Sequence, residues 1–528
     1  MTFRTLTACL LLATPALALP QAPALEPLRW DAPYSYPDFI GCPWSVAVGD
    51  DGALAVVSRV GDFPGLDVHA GGSPEPIWME RYDDRVYIGR VAVADHAPVA
   101  AEFTLRDVDP DPNSILFEAR MRLLEVGNGV VEAWSAPILT GPGWYWDAGG
   151  VALSDDGEVV VGWWDSTDQD IARMVAYRRD GTLISQFDLP IQVSGFNTGG
   201  VRLSDDGARA VLPGVDHVVL LDVFGGTVLA SYETPTGTPL RGLAISGDGA
   251  RFAVASWEEV VLFEEGAGGS FAKISTLPQV DDEHFGPLAL DEDGGRLAYT
   301  IQHLSPANRY ELVLLDVDDD QELWRVVQAD PASLAPVHAK DVDIDAAGET
   351  VACASLGGPT FATPQVIVVD AAGQVVSEHH LGGSAMDVDL DPSGEVLVVA
   401  ESPKYMAAYI GGRFFLADAR PPTLRVLGQP QVGGVLDLTL VGDAAGGSGA
   451  LWLASELGGS PTPFGTSALD LLGARRLGPW PLVGGVLKTP LALAGNPLLA
   501  GTLLHAQGVT FSAAGGRLTN KVSLRVMP

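Results

Sequence analysis

The chain has 528 residues, of which 67 are acidic and 31 basic, giving a formal net charge of −36. A field of that sign repels phosphate backbones and anionic lipid, which argues against nucleic acid as a partner. Hydrophobic content of 47% suffices for a large core, while 62 glycines and 38 prolines favour short strands and tight turns over long helices.

The first residues read as an address. Arg4 supplies a basic start, Leu6–Ala13 an apolar run, and Ala16-Leu17-Ala18 a small-x-small cleavage site. Residues 1–18 are therefore expected to be a signal peptide cut near Ala18, sending the mature chain to the periplasm, the cell surface or the medium. Leu6-Thr7-Ala8-Cys9 superficially matches a lipoprotein box, but Cys9 precedes most of the apolar run. A Pro/Ala-rich stretch fills residues 19–40. No later run of 18 apolar residues exists, so no membrane span is predicted.

From residue 41 one phrase recurs: an alternating apolar strand, an acidic turn with glycine, and a second apolar strand. It appears as Ser45-Val-Ala-Val-Gly-Asp-Asp-Gly52, Gly150-Val-Ala-Leu-Ser-Asp-Asp-Gly157, Gly200-Val-Arg-Leu-Ser-Asp-Asp-Gly207 and Gly242-Leu-Ala-Ile-Ser-Gly-Asp-Gly249. Weaker copies end at Gly294, Gly348 and Gly394. Alternation with Asp-Gly predicts a β-hairpin closed by a tight primed turn, with positive φ supplied by Asp-Gly. A second strand pair follows each hairpin, as in Val218-Val-Leu-Leu-Asp-Val-Phe-Gly-Gly-Thr-Val-Leu-Ala230. Four strands per unit at this period are the composition of a propeller blade. The interval Gly52 to Gly157 is double, so a degenerate unit is expected over Arg85–Trp134. Its strands fall near Val86–Val93, Val99–Val108, Ile115–Val126 and Val130–Trp134. The expected fold is all-β: a β-propeller of about eight blades over residues 41–428. The alternative is seven blades, with the N-terminal segment completing the last.

The phrase resembles the WD40-like repeats of exported bacterial propellers, and the Leu-Asp-x-x-x-Gly-x-x-Leu strand pairs resemble quinoprotein-type repeats. The resemblance covers about 385 residues and implies the propeller fold. Gly-His and Trp-Asp dipeptides are missing from their usual places, as is the Trp docking motif of quinone-dependent dehydrogenases. No cofactor is firmly implied.

Composition changes at Pro421-Pro422. From Gln429 onward there are six basic and four acidic residues, and Gly, Leu, Ala and Pro dominate. Residues 429–528 resemble the C-terminal β-modules that close many exported bacterial proteins, and a small β-sandwich-like domain is expected there. It would serve attachment or sorting, or cap an edge strand.

No catalytic or cofactor motif of fixed spacing occurs. Aligning the blades on their hairpin glycines places Cys42, Asp147, Asn197, Pro239, His284, His338 and Ser384 ten residues earlier, where one mouth of the channel should form. Asp147, Asn197, His284, His338 and Ser384 are the candidate ligand-binding residues, joined by Trp144 and Trp146 as aromatic platforms for sugar or peptide. His284 and His338, from consecutive units, are the candidate ligands of a divalent metal. Asp341, Asp343, Asp387 and Asp389 occupy equivalent alternate positions on two neighbouring inner strands. If they share one space they require a cation or protonation; otherwise they open into a watery channel. Asp107-Val-Asp-Pro-Asp-Pro-Asn113 with Glu118 has calcium-loop oxygen spacing, but Pro112 stands where such a loop needs glycine. Cys42 and Cys353 permit one disulfide. The functional expectation is a non-catalytic binding or scaffold protein with a protein or polysaccharide partner. The alternatives are a lactonase-like, metal-assisted hydrolase at the channel mouth and a carbohydrate-binding surface protein.

Overall fold

The computed structural model describes residues 28–525 except for several segments, the longest being 34–40, 110–115, 143–148, 190–199, 331–336, 403–412, 428–434 and 493–502. Each recurring phrase folds into an antiparallel hairpin and continues into further antiparallel strands. In the third unit Gly149–Leu153, Val159–Ser166, Ile171–Arg178 and Leu183–Leu189 pair in chain order as one sheet. Eight such four-stranded sheets form an eight-bladed β-propeller within the compact unit Pro27–Pro421. The degenerate second unit is present as Val86–Val93, Val99–Asp107, Leu116–Val126 and Val130–Pro142.

The eighth blade draws on both ends of the unit. Ser384–Leu390, Val396–Ser402 and Arg413–Asp418 supply three strands, and the N-terminal Leu28–Pro33 adds the outermost. Its register runs from Leu28 opposite Ala417 to Pro33 opposite Arg413. N-terminal completion, expected with seven blades, thus occurs with eight.

Alternation along each strand sends apolar side chains to both faces of a blade, where they pack against the neighbouring blades. Eight apolar clusters result, one for each seam around the ring. Trp164 fills the seam between the second and third blades and Trp163 the seam between the third and fourth, both fully buried. Cys353 is a buried free thiol between the sixth and seventh blades, its pKa pushed up to about 12 by burial. The permitted bridge to Cys42 is therefore not formed.

The hairpin turn differs from the expected primed turn. Ser154 and Val159 close a four-residue connection, and the Gly157 N–H donates to the Ser154 carbonyl at 2.8 Å. Only the glycine takes positive φ, +70° at Gly157, which a side chain would strain. The preceding residues do other work. Ser154 Oγ donates to Asp156 Oδ1 at 2.7 Å and accepts the Val159 N–H at 2.9 Å, while Asp156 Oδ1 accepts the Glu158 N–H at 2.9 Å. Ser204 and Asp206, then Ser246 and Asp248, repeat the arrangement. In the eighth blade Asp391 replaces the serine and itself accepts the Val396 N–H at 2.7 Å. Small polar side chains saturating local backbone donors thus replace the expected positive φ at Asp.

Residues Pro422–Pro528 fall in a second compact unit, also all-β in its described strands. Thr423–Leu427, Val435–Val441 and Val486–Ala492 form one sheet. Arg475–Leu482, Gly447–Ala454, Leu503–Ser512 and Gly515–Arg525 form another, with a separate hairpin of Leu457–Thr462 and Gly465–Leu469. Thr423–Leu427, assigned by composition to the propeller, pairs with Val435–Val441 instead.

Candidate functional site

Eight innermost strands surround a central channel with a cavity of about 450 Å³. Each presents an edge that pairs with no strand, so its N–H groups need other acceptors. At the hairpin end the blades satisfy one another. The Asp50 N–H donates to the Asp95 carbonyl, His96 to Asp155, Asp155 to Asp205, Asp205 to Gly247, Gly247 to Glu292, Glu292 to Ala346, and Ala346 to Pro392. Distances run from 2.8 to 3.4 Å. Pro392 has no N–H to pass on, so this circuit opens between the eighth and first blades.

Farther along the rim, arginine side chains make a second set of links. Arg209, Arg251 and Arg296 each donate from Nη1 to the hairpin-glycine carbonyl of the next blade, at 2.8, 3.1 and 2.6 Å to Gly249, Gly294 and Gly348.

The four aspartates singled out by spacing sit where inner-strand edges lack strand partners. The Val388 and Leu390 N–H groups donate to Asp341 Oδ2 and Asp343 Oδ2 at 3.2 and 2.7 Å. Val46 and Val48 donate to Asp387 Oδ2 and Asp389 Oδ2 at 2.8 and 2.7 Å. Asp341 lies in hydrogen-bonding reach of Asp387, and Asp343 of Asp389. Burial, then the neighbouring carboxylate, raises Asp341 and Asp389 well above the usual range. Burial raises Asp343 to about 6. All four line the channel wall, and the raised pKa values of Asp341, Asp343 and Asp389 ease the repulsion between them. Their main role was not legible: they cap backbone donors across two blade seams.

At the hairpin mouth, Asp50, Asp95, Asp155, Asp205 and Glu292 follow one another around the rim. Burial, then Asp155 and Asp50, raises Asp95 to about 8. Burial, then Asp155 and Glu292, raises Asp205 to about 7. His96 Nδ1 lies 2.7 Å from Asp50 Oδ2, and that hydrogen bond raises the His96 pKa. This end of the channel is acidic.

The opposite mouth, where the inner strands begin, has another character. His284 pairs across its sheet with Gln302, whose Oε1 lies 2.8 Å from His338 Nδ1. Gln302 thus stands between the two histidines that spacing had aligned. The His284 ring lies 5.0 Å from that of Trp257, over which the Arg241 guanidinium sits at 4.4 Å. Arg241 and Lys340 occupy irregularities of the fifth and seventh inner strands, at the register shifts Leu240/Gly242 and Ala339/Asp341. Burial, then Arg241 and Arg90, lowers the Lys340 pKa. Burial, then Lys340 and Arg241, lowers that of His338, leaving it neutral. A cationic field of this kind opposes a divalent cation on the histidines. Among the described residues, no group of three or more His, Cys, Asp or Glu is placed to hold a metal ion.

Ser384 is fully buried and donates to the Leu356 carbonyl at 2.8 Å, a structural contact. Trp144, Trp146, Asp147, Asn197 and Pro239 lie outside the described residues, as does the Cys42 side chain. So does 110–115 of the calcium-like loop; Glu118, just beyond it, pairs with Arg120 at 2.9 Å. Arg90, Arg241 and Lys340 were not anticipated. Their signal was faint: Arg241 and Lys340 both stand eight residues before a hairpin glycine, Gly249 and Gly348.

No family model and no curated protein matches the chain. In structure it is similar to the C-terminal WD40 domain of Sif2, at 12% identity, with 71% of this chain and 96% of that one covered and a TM-score of 0.46. It is also similar to Saccharomyces cerevisiae Sqt1, at 11% identity, 73% and 99% coverage and a TM-score of 0.49. The propeller assignment itself rests on the chain's own eight sheets and eight apolar seams.

Proposed function

We propose that the protein is an exported, non-catalytic binding propeller that presents the strand-start mouth of its channel to a macromolecular partner. The observation that carries this reading is the cluster of Arg241, Trp257 and His284. Trp257 is 36% exposed, yet its ring contacts both a guanidinium and an imidazole, from the fifth and sixth blades. A preorganised tryptophan beside an arginine is the composition of an interface hot spot, because little side-chain entropy remains to be lost on binding. The basic and apolar residues before Ala18 support export.

A photo-crosslinking amino acid at position 257, with a control at Val131 on the outer strand of the second blade, tests the binding face. Discrete adducts from native extract at position 257, absent at position 131 and unchanged by chelator, are expected. Equal labelling at both positions, or none at 257, overturns the reading.

A further inference from the structure

In a chain with 67 acidic and 31 basic residues, a cation has many carboxylates to choose from. Arg173, Arg251, Arg325 and Arg413 each hold one from their own blade. Arg241 does not. Among the described residues its guanidinium forms neither an ion pair nor a hydrogen bond, and its Nε is buried without an acceptor. What it touches is Trp257, whose ring centroid lies 4.4 Å from the guanidinium carbon. The register shift between Leu240 and Gly242 falls at Arg241, and irregularities of this kind re-aim a side chain. Two carboxylates close to the cluster in sequence are committed elsewhere. Glu259 accepts from the Tyr232 hydroxyl and lies 4.0 Å from Lys273, while Glu283 lies 3.7 Å from His303. Trp257 also meets the His284 ring at 5.0 Å, yet keeps 36% of its surface exposed. A fixed cation thus rests on an exposed aromatic ring with no anion of this chain to answer it.

We infer that Arg241 and Trp257 receive an isolated carboxylate, an Asp or Glu side chain flanked by apolar residues in a segment of a protein partner. Arg241 takes the carboxylate and the exposed part of Trp257 the apolar neighbour. The inference rests on the binding reading above for the existence of a partner and adds the partner's chemistry. A guanidinium whose face lies on an aromatic ring keeps its N–H edge for a carboxylate, which it can hold with two parallel hydrogen bonds. The same guanidinium covers an indole face on which a sugar would stack, which favours a peptide over a carbohydrate. The net charge of −36 repels an approaching polyanion. Screening over about 8 Å at physiological ionic strength leaves a single carboxylate in contact to feel mainly Arg241. One acid among apolar residues therefore fits better than an acidic tract.

Fluorine NMR of the full chain labelled with fluorotryptophan tests the contact, the Trp257 resonance being the one lost in Trp257→Phe. The probe is acetyl-Leu-Glu-Leu-amide, compared with its glutamine counterpart, with acetyl-Glu-Glu-Glu-amide and with glucuronate. A saturable shift of the Trp257 resonance by millimolar Leu-Glu-Leu peptide is expected. Binding should weaken by about tenfold or more for the glutamine peptide and in Arg241→Gln, and stay unchanged in Lys273→Gln. The other eleven of the 12 tryptophans report whether each variant keeps its fold. Should Arg241→Gln disturb them, the comparison of glutamate with glutamine on the wild type decides. No shift at millimolar peptide, or equal shifts by the glutamate and glutamine peptides, overturns the inference. Tighter binding of the triglutamate overturns the isolated carboxylate, and equal binding of glucuronate overturns the choice of a peptide. If position 257 captures a partner while glutamate and glutamine act alike, the acidic reading falls and the binding face stands. If the glutamate peptide binds through Arg241 while position 257 captures nothing, the carboxylate contact stands and the macromolecular reading falls.

Discussion

The Val48 N–H, in the first blade, donates to Asp389 Oδ2 of the eighth at 2.7 Å, across 341 residues of chain. With its neighbour, Val46 to Asp387, it supplies side-chain acceptors at the one seam where the backbone circuit is interrupted by Pro392. Ring closure is therefore specified by named polar contacts as well as by the apolar cluster of Val46, Val57, Val398 and Phe414.

Removing the acceptor should be distinguishable from removing the charge. Asp389→Ala leaves the Val48 N–H without its partner and is expected to cost about 1–3 kcal/mol. Asp389→Asn keeps an oxygen acceptor and removes the carboxyl's charge, so it should stay within about 1 kcal/mol of wild type. Chemical unfolding followed by tryptophan fluorescence measures both.

Raised carboxyl pKa values reverse the usual acid-denaturation slope. Asp343, Asp205 and Asp95 titrate in the fold near 6, 7 and 8, above the unfolded value. Between those limits the folded state binds more protons than the unfolded state, so stability falls as pH rises. Their relative stabilisation is fully present below the unfolded pKa and is lost through about pH 8. The melting temperature should accordingly be higher at pH 5 than at pH 8 at fixed ionic strength. Asp95→Asn with Asp205→Asn should flatten the slope, and an unchanged slope would show that the rim carboxyls do not cause it.

Two glycines in neighbouring turns should respond in opposite ways to alanine. Gly249 has φ +69°, and a Cβ there would lie 2.7 Å from Arg209 Cδ, so Gly249→Ala is expected to cost about 1–3 kcal/mol. At Gly295 φ is not positive and nothing lies within 4 Å of an added Cβ, so Gly295→Ala should be neutral or stabilising by up to about 1 kcal/mol. Paired denaturation curves decide.

Loss of the N-terminal strand should act at the other end of the chain. A variant starting at residue 34 lacks the partner of Arg413–Asp418, whose Phe414, Phe415 and Leu416 are fully buried. Unpaired strand edges promote association. That variant should aggregate or become protease-sensitive, whereas one starting at residue 27 should remain monodisperse by light scattering.

Blade count and strand order were legible because each unit repeats a local pattern. Even the second blade, whose turn reads His96-Ala97-Pro98 instead of Asp-Gly, was found from its alternating apolar runs. The turn geometry was misread because Ser154 and Asp156 act through their side chains, while periodicity reports only which residues face the core. The four channel aspartates were visible as a register coincidence. Their partners were not, since an unpaired strand edge exists only after the ring closes. The basic mouth was less visible still: Arg90, Arg241 and Lys340 belong to three separate repeats, and no short window contains two of them. His284 and His338 were aligned correctly on spacing, but spacing alone could not say that Gln302 would stand between them or that Lys340 would charge their surroundings.

The pairing of Leu28–Pro33 with Arg413–Asp418 has a mechanical consequence. The strands are antiparallel, with Leu28 opposite Ala417, so the chain enters and leaves the propeller at the same end of one strand pair. Tension between an N-terminal attachment and the segment beyond Pro421 would load that ladder one hydrogen bond at a time, in unzipping rather than shear. The joint that completes the ring is thus also the point at which a pull on its two ends would begin to open it.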